Sequence, residues 1–512
     1  VPFTKIIGNP VDFGNFFQYD GRDMKLISVA AFICVILAAA FFLSFSSSNV
    51  AVGPATGADI ASVATSGMNG TAVLSATSSA SSSPLLGEPE APQSSSGVAA
   101  ASPADGDDIV PQPKLASPPS VVKGIYLTAW VAGSPGRVQS IINLLKSTGL
   151  NTVVIDLKDY SGYVSYAMDV PQVKASGAEG EIRIARPNAL IKELHDNGIY
   201  VIGRITDFQD PILAQAHPEW ALHNKTTGGV WKDNNGLAWM DPAATPVWDY
   251  LAAIANDAFG RGFDEIQFDY IRFASDGSLG NITYPYWNGK TPMATVIASY
   301  FKFLRAQFPN EKISADLFGL STINNDDLGI GQVIQSAYEY FDYVSPMVYP
   351  SHYASGFLGY KSPASYPYQV ISYSLTHAIA KLVAMGNSNS TITTAMGAAS
   401  SDTVSSSLAA TGTTATTITS TTSTTSTTST TATSAKAAAY SPFNLGYIPQ
   451  TKLRPWLQDF DLYGVPYTPQ MVALEKHAVY DTLDTTTTSQ YYGGWLLWDA
   501  ANNYTAAELG AE

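Results

Sequence analysis

The sequence predicts an α/β protein built as a (β/α)8 TIM barrel. Two observations lead there: eight strand-like apolar runs are separated by amphipathic helical stretches, and several of those runs end in an acidic residue. The clearest run is 262–273, where Ile266, Phe268 and Tyr270 share one face of a strand and Glu265, Gln267 and Asp269 the other. Asp156, Asp316 and Asp499 end similar runs, as expected if several strands share one polar mouth.

Taken in order, the strands fall at 122–131, 151–159, 199–207, 263–273, 312–319, 343–349, 454–460 and 494–499. The intervening helices fall at 136–147, 187–196, 246–259, 291–308, 331–340, 368–384 and 468–483. An open doubly wound sheet is the competing arrangement, but no strand is followed by the Gly-rich dinucleotide turn. Pro346 inside the sixth strand gives up a ladder donor and is expected to bend that strand near the mouth.

Composition divides the 512 residues further. Residues 1–25 read as a tail, and Leu26 to Phe45 is an apolar run long enough to cross a bilayer as a helix. Arg22 and Lys25 precede it, so the bulk of the chain is expected outside the cytoplasm, either anchored by a single span in the cell membrane or secreted after cleavage of a signal peptide. The only cysteine, Cys34, lies in this run, so no disulfide forms within the chain. Residues 46–120, rich in Ala, Ser, Gly, Pro and Thr, read as a disordered linker. The barrel is assigned to 121–512, interrupted at 387–438 by a Thr/Ser-rich low-complexity insertion before the seventh strand.

The formal net charge is −15, and Lys and Arg form no patch, which argues against nucleic acid as a partner. A polysaccharide or glycoconjugate suits the chain better, acted on by a monomer, with the membrane as a second partner through the N-terminal helix. The six histidines show no zinc spacing, the run 324–327 has no calcium-loop pattern, and no serine elbow is present, so neither metal nor other cofactor is expected.

In a TIM barrel the active site lies where the strands end. Asp269 and Asp316 end neighbouring strands with matching parity, and a carboxylate pair is the equipment of glycoside hydrolysis. They are the candidate catalytic residues, with the acid and nucleophile roles left open. The candidate substrate contacts are Asp156, Lys158, Arg204, Asp207, Arg272, Tyr349, His352, Tyr353, Trp456, Trp498 and Asp499. Asp269 with Arg272, and Asp156 with Lys158, are close enough in sequence to be simple ion pairs instead. Of Trp130, Trp220, Trp231, Trp239, Trp287, Trp456 and Trp498, two or three are expected to line a saccharide groove.

The segments 123–128, 263–273, 345–353, 454–460 and 494–499 together resemble the putative glycosyl hydrolase domain family, formerly a domain of unknown function. The resemblance covers about 122–505 and implies a TIM barrel with glycosidase activity. Aligned with chitinase-like barrels, Asp264 and Asp269 match the acidic strand but Ile271 stands where the proton-donating Glu belongs, so substrate-assisted chemistry of that kind is disfavoured. Two functions follow as alternatives: a glycosidase, or a carbohydrate-binding or cell-wall scaffold that has lost catalysis. A sugar deacetylase lacks its clustered Asp/His metal site.

Overall fold

In the computed structural model the described residues are 107–401, 450–462 and 464–510. The expected membrane segment at 26–45, most of the linker and the greater part of the Thr/Ser-rich tract lie outside them. Among the described residues, no helix is long and apolar enough to cross a membrane.

Eight parallel strands close into a barrel: β1 (Val122–Leu127), β2 (Thr152–Lys158), β3 (Tyr200–Thr206), β4 (Glu265–Asp269), β5 (Lys312–Phe318), β6 (Tyr343–Met347), β7 (Lys452–Leu453 and Trp456–Gln458) and β8 (Gly494–Trp498). Each pairs with its sequence neighbour, and β8 returns to β1 through Val122↔Gly494 to Ile125↔Leu497. Arg454 and Pro455 interrupt β7, which pairs with β6 below the break at Lys452 and above it at Trp456. Gly494 opens β8 at φ +106, and a Cβ there would sit 1.7 Å from the Val122 carbonyl oxygen, so this close approach requires glycine.

The connecting helices are α1 (Pro135–Thr148), α2 (Pro187–Asp196), α3 (Thr245–Arg261), α4 (Met293–Gln307), α5 (Ile334–Tyr340), α6 (Pro367–Ser401) and α7 (Pro469–Leu483). The boundaries agree with the sequence reading to a few residues, except that α6 runs past Ala384 into the tract expected to begin at 387.

Strand alternation splits the interior in two. Outward residues such as Ile155, Ile205, Ile266, Phe268, Ile313 and Leu497 pack under the helices. Each such side chain contributes about 1.5–3 kcal/mol by leaving water. Inward residues Tyr126, Val154, Ile202, Met347, Trp456, Leu496 and Trp498 form a separate cluster inside the barrel. Pro346 stays within the β6 ladder, in register with Leu317.

The described residues 107–120 correct the expected linker boundary, because they are tied to the barrel rather than free. Asp108 accepts from the Asn188 and Ala189 N–H groups and so caps α2 from outside the helix. Gln112 N donates to the Arg261 carbonyl, Leu115 N donates to Asp264, and the Leu115 side chain packs against the inner cluster. Proline-rich composition hid this strap from a reading based on low complexity.

Candidate active site

The polar residues of the barrel interior form layers. At the N-terminal end, Arg454 forms a two-pronged ion pair with Glu265, which also accepts from Ser314 Oγ at 2.5 Å and Tyr200 Oη at 3.3 Å. Above it, Gln267 Nε2 donates to Ser345 Oγ at 3.2 Å. These bonds pair most of the buried polar atoms, but Arg454 Nε and Gln267 Oε1 find no partner among the described residues.

The top layer is centred on Arg204. Its Nη1 donates to Asp156 Oδ1 at 2.7 Å, while Nε and Nη2 both reach Asp269 Oδ2, at 3.1 and 2.5 Å. Asp316 Oδ2 lies 4.0 Å from the same Nε, and Asp316 Oδ1 accepts from Trp456 Nε1 at 2.8 Å. Because Asp269 Oδ2 and Asp316 Oδ2 share that Nε neighbour, they are at most about 7 Å apart, short of the roughly 9.5 Å upper end for glycosidase carboxylate pairs. Asp269 is 2 % exposed and Asp316 0 %.

The end of β4 is shaped to hold its carboxylate. Tyr270 adopts φ +53, uncommon for a non-glycine residue, and its N–H donates to Asp269 Oδ1 at 2.6 Å. On the opposite wall, Tyr126 Oη donates to Asp156 Oδ2 at 2.5 Å. Burial raises the Asp156 carboxyl above the usual range, against the lowering effect of Arg204. Tyr126 stacks on Trp498 with ring centres 3.8 Å apart, and the Arg204 guanidinium lies 4.9 Å from the Trp498 ring.

A second group adjoins this layer. Phe318 and Met347, in register at the ends of β5 and β6, line a cavity of about 30 Å³ with Gly319, Leu320, Tyr349, His352 and Tyr353. Burial pushes the His352 imidazole down to about 4. Arg272 lies against Trp239, Tyr270 and Phe318 and donates to Ser275 Oγ at 2.9 Å. The space beside the carboxylates is therefore small and walled by packed side chains, not the open sugar-sized cleft expected. A larger cavity of about 490 Å³ lies elsewhere, between Lys225, Tyr284, Trp287 and Met293.

The structure thus gathers Asp156, Arg204, Asp269, Asp316, Trp456 and Trp498 in one layer, with Tyr349 and His352 beside it. It does not bring Lys158, Asp207 or Asp499 there. Lys158 is fully buried against Asp210 at 3.0 Å and donates to the Thr206 carbonyl. Asp207 is enclosed near Lys158 and Tyr300, and burial raises its carboxyl well above the ordinary range. Asp499 accepts from Ala501 N and Asn503 N, closing the turn after β8. Tyr353 Oη pairs with Ser374 Oγ at 2.8 Å, though its ring reaches the small cavity. The pairings suggested by sequence proximity also give way: Asp269 and Asp156 both bond to Arg204 rather than to Arg272 and Lys158.

Among the tryptophans, Trp456 and Trp498 belong to the top layer, whereas Trp231 and Trp239 donate to Ser278 and Asp233 in the loops. Asp264 lies at the opposite end of β4, accepting from Leu115 N, Val201 N and, at 3.0 Å, facing His195 Nε2. It therefore cannot act beside Asp269. Tyr126 escaped the sequence reading as a site residue, although its parity with Gly124 and its place at the end of β1 carried the signal.

The profile of the putative glycosyl hydrolase domain family matches residues 124–392, more than half of the chain. The chain belongs to that family. The matched segment runs from β1 into α6, taking in Asp156, Arg204, Asp269 and Asp316 but not Trp456 or Trp498. No curated protein matches the chain. Solved structures similar to it include a hypothetical protein from Ruminiclostridium thermocellum, 36% identical over 40% of this chain and 98% of that one, with a TM-score of 0.35. The glycoside hydrolase domain of PgaB (BpsB) from Bordetella bronchiseptica is 9% identical over 76% of this chain and 97% of that one, with a TM-score of 0.45.

Proposed function

We propose that this member of the family is a glycoside hydrolase that cleaves a polysaccharide or glycoconjugate outside the cytoplasm, held at the cell membrane or secreted. The observation that carries this reading is the convergence of Asp156, Asp269 and Asp316 on one guanidinium at the C-terminal end of the barrel. Two of these carboxylates bond to the guanidinium and the third lies 4.0 Å from it, so the cluster brings carboxyl groups close enough to divide the roles of proton holder and ionised group. That division is what general-acid cleavage of a glycosidic bond uses.

Asp269 and Asp316 are the reacting pair. Asp269, oriented by Arg204 and the Tyr270 N–H, presents a fixed carboxylate to an anomeric carbon or a water. Asp316 supplies the second carboxyl, oriented by Trp456. Trp498 offers an apolar ring face for a sugar, and its buried Nε1 has no hydrogen-bond partner among the described residues. Because rings cover the cluster, substrate entry requires Tyr126 and Trp498 to shift.

The burial of Asp269 and Asp316 also favours a second reading, a carbohydrate-binding scaffold without turnover. The full-length protein, incubated with a panel of envelope and plant polysaccharides, separates the two. Release of new reducing ends supports the hydrolase, and saturable binding without release supports the scaffold.

A further inference from the structure

We propose that the cavity of about 30 Å³ beside the carboxylate layer receives the acetyl group of an acetylated sugar. This deepens the carbohydrate reading above and rests on it for the direction from which the sugar approaches. Phe318 follows Asp316 by two residues on the same inward face of β5, and Met347 pairs in register with both Phe318 and Trp456. The cavity therefore lies about one layer beyond the Asp316 carboxylate along β5.

Size excludes a whole sugar ring. A single water needs roughly 10–15 Å³ by this measure and ligand pockets run to several hundred, so this space accepts a short branch only. Its walls exclude a charged branch, since Phe318, Leu320, Met347 and the rings of Tyr349 and Tyr353 supply no counter-charge. One polar atom points to a ligand: His352 Nε2 is buried and has no partner among the described residues. Ser351 Oγ lies 3.1 Å from His352 Nδ1, and a hydroxyl donating there leaves the ring hydrogen on Nε2. A neutral imidazole donor in an otherwise apolar pocket matches an acyl group, whose methyl takes the apolar walls and whose carbonyl accepts from Nε2. A hydroxymethyl oxygen also accepts from Nε2 but leaves the apolar walls with thinner contacts than a methyl does.

The test is equilibrium binding to the full-length protein, read by calorimetry so that turnover is not required. The probes are N-acetylglucosamine tetramer, the matching glucosamine tetramer, O-acetylated xylotetraose and plain xylotetraose. At least one acetylated probe is expected to bind about 10-fold or more tightly than its unacetylated counterpart, the loss that an unmade buried hydrogen bond imposes. Which of the two pairs shows the difference tells whether the acetyl is N-linked or O-linked.

His352→Phe removes the donor and is expected to abolish the preference, whereas His352→Gln, which keeps an N–H, retains part of it. Unchanged melting of both variants excludes simple misfolding. Equal affinity within both pairs, no binding of any acetylated probe, or a preference that survives His352→Phe overturns the proposal. A protein that prefers acetylated probes but releases no reducing ends keeps this inference and defeats the hydrolase reading.

Discussion

Arg204 places two nitrogens on a single oxygen of Asp269, Nε at 3.1 Å and Nη2 at 2.5 Å, while its third reaches Asp156 at 2.7 Å. The guanidinium thus joins β2, β3 and β4 at the level where chemistry takes place in barrels of this kind. Removing it leaves buried carboxylates without their cation. Arg204→Ala is expected to lower unfolding free energy by about 3–5 kcal/mol, and Arg204→Lys to recover only part of that because an ammonium lacks the planar fork. Urea denaturation of the two variants checks this, and a loss below about 1 kcal/mol in Arg204→Ala contradicts it.

Asp156 responds to the opposite wall. Burial already raises its carboxyl above the ordinary value, and the Tyr126 hydroxyl works against that rise. Tyr126→Phe removes the donor, so the Asp156 carboxyl is expected to titrate higher still. The sign for stability follows: a carboxyl raised in the folded state contributes stability at low pH that is lost as pH climbs through the raised value. Carbonyl-carbon NMR titration of the wild type and variant reads the shift, and a downward movement in Tyr126→Phe disproves the assigned role.

Asp459, just past the end of β7, offers a cleaner titration. Burial pushes it up to about 8, with Glu508 and Asp499 adding repulsion. The folded protein therefore loses stability between about pH 4 and 8 as Asp459 ionises, and the loss is complete above that range. Asp459→Asn is expected to raise the melting temperature at pH 9 relative to wild type, with a smaller gain or none at pH 5. Equal effects at both pH values would mean that ionisation is not the cause.

Asp264 separates fold from function on the same strand. Its carboxylate ties Leu115 N and Val201 N at the barrel's far end, so Asp264→Ala strands one buried and one half-buried donor and should cost about 2–3 kcal/mol. Turnover per folded molecule should stay at the wild-type level. A selective loss of kcat with intact stability would restore Asp264 as a participant.

The barrel was legible because period-two alternation and period-3.6 amphipathicity are local, and both cores of the protein follow from them. Asp269 and Asp316 were legible as inward residues for the same reason. Partner choice was not. Asp156 bonds across the ladder to Arg204 rather than to Lys158, because a bulge between Asp156 and Lys158 shifts the register. Lys158 then meets Asp210, which belongs to the loop after β3. The strap at 107–120 was hidden because its attachment comes from isolated groups, Asp108, Gln112 and Leu115, in a stretch whose composition resembles a linker. Nor does a sequence pattern reveal that Tyr126 and Trp498 stack with ring centres 3.8 Å apart.

The central claim is that Asp269 and Asp316 act together on a glycosidic bond. Its most direct test is kcat for the full-length protein on a polysaccharide it cleaves, measured for Asp269→Asn and Asp316→Asn with melting curves beside them. Both variants are expected to stay folded and lose at least about 100-fold in kcat, the scale on which a positioned acid or base contributes. Wild-type kcat in either folded variant contradicts the pair.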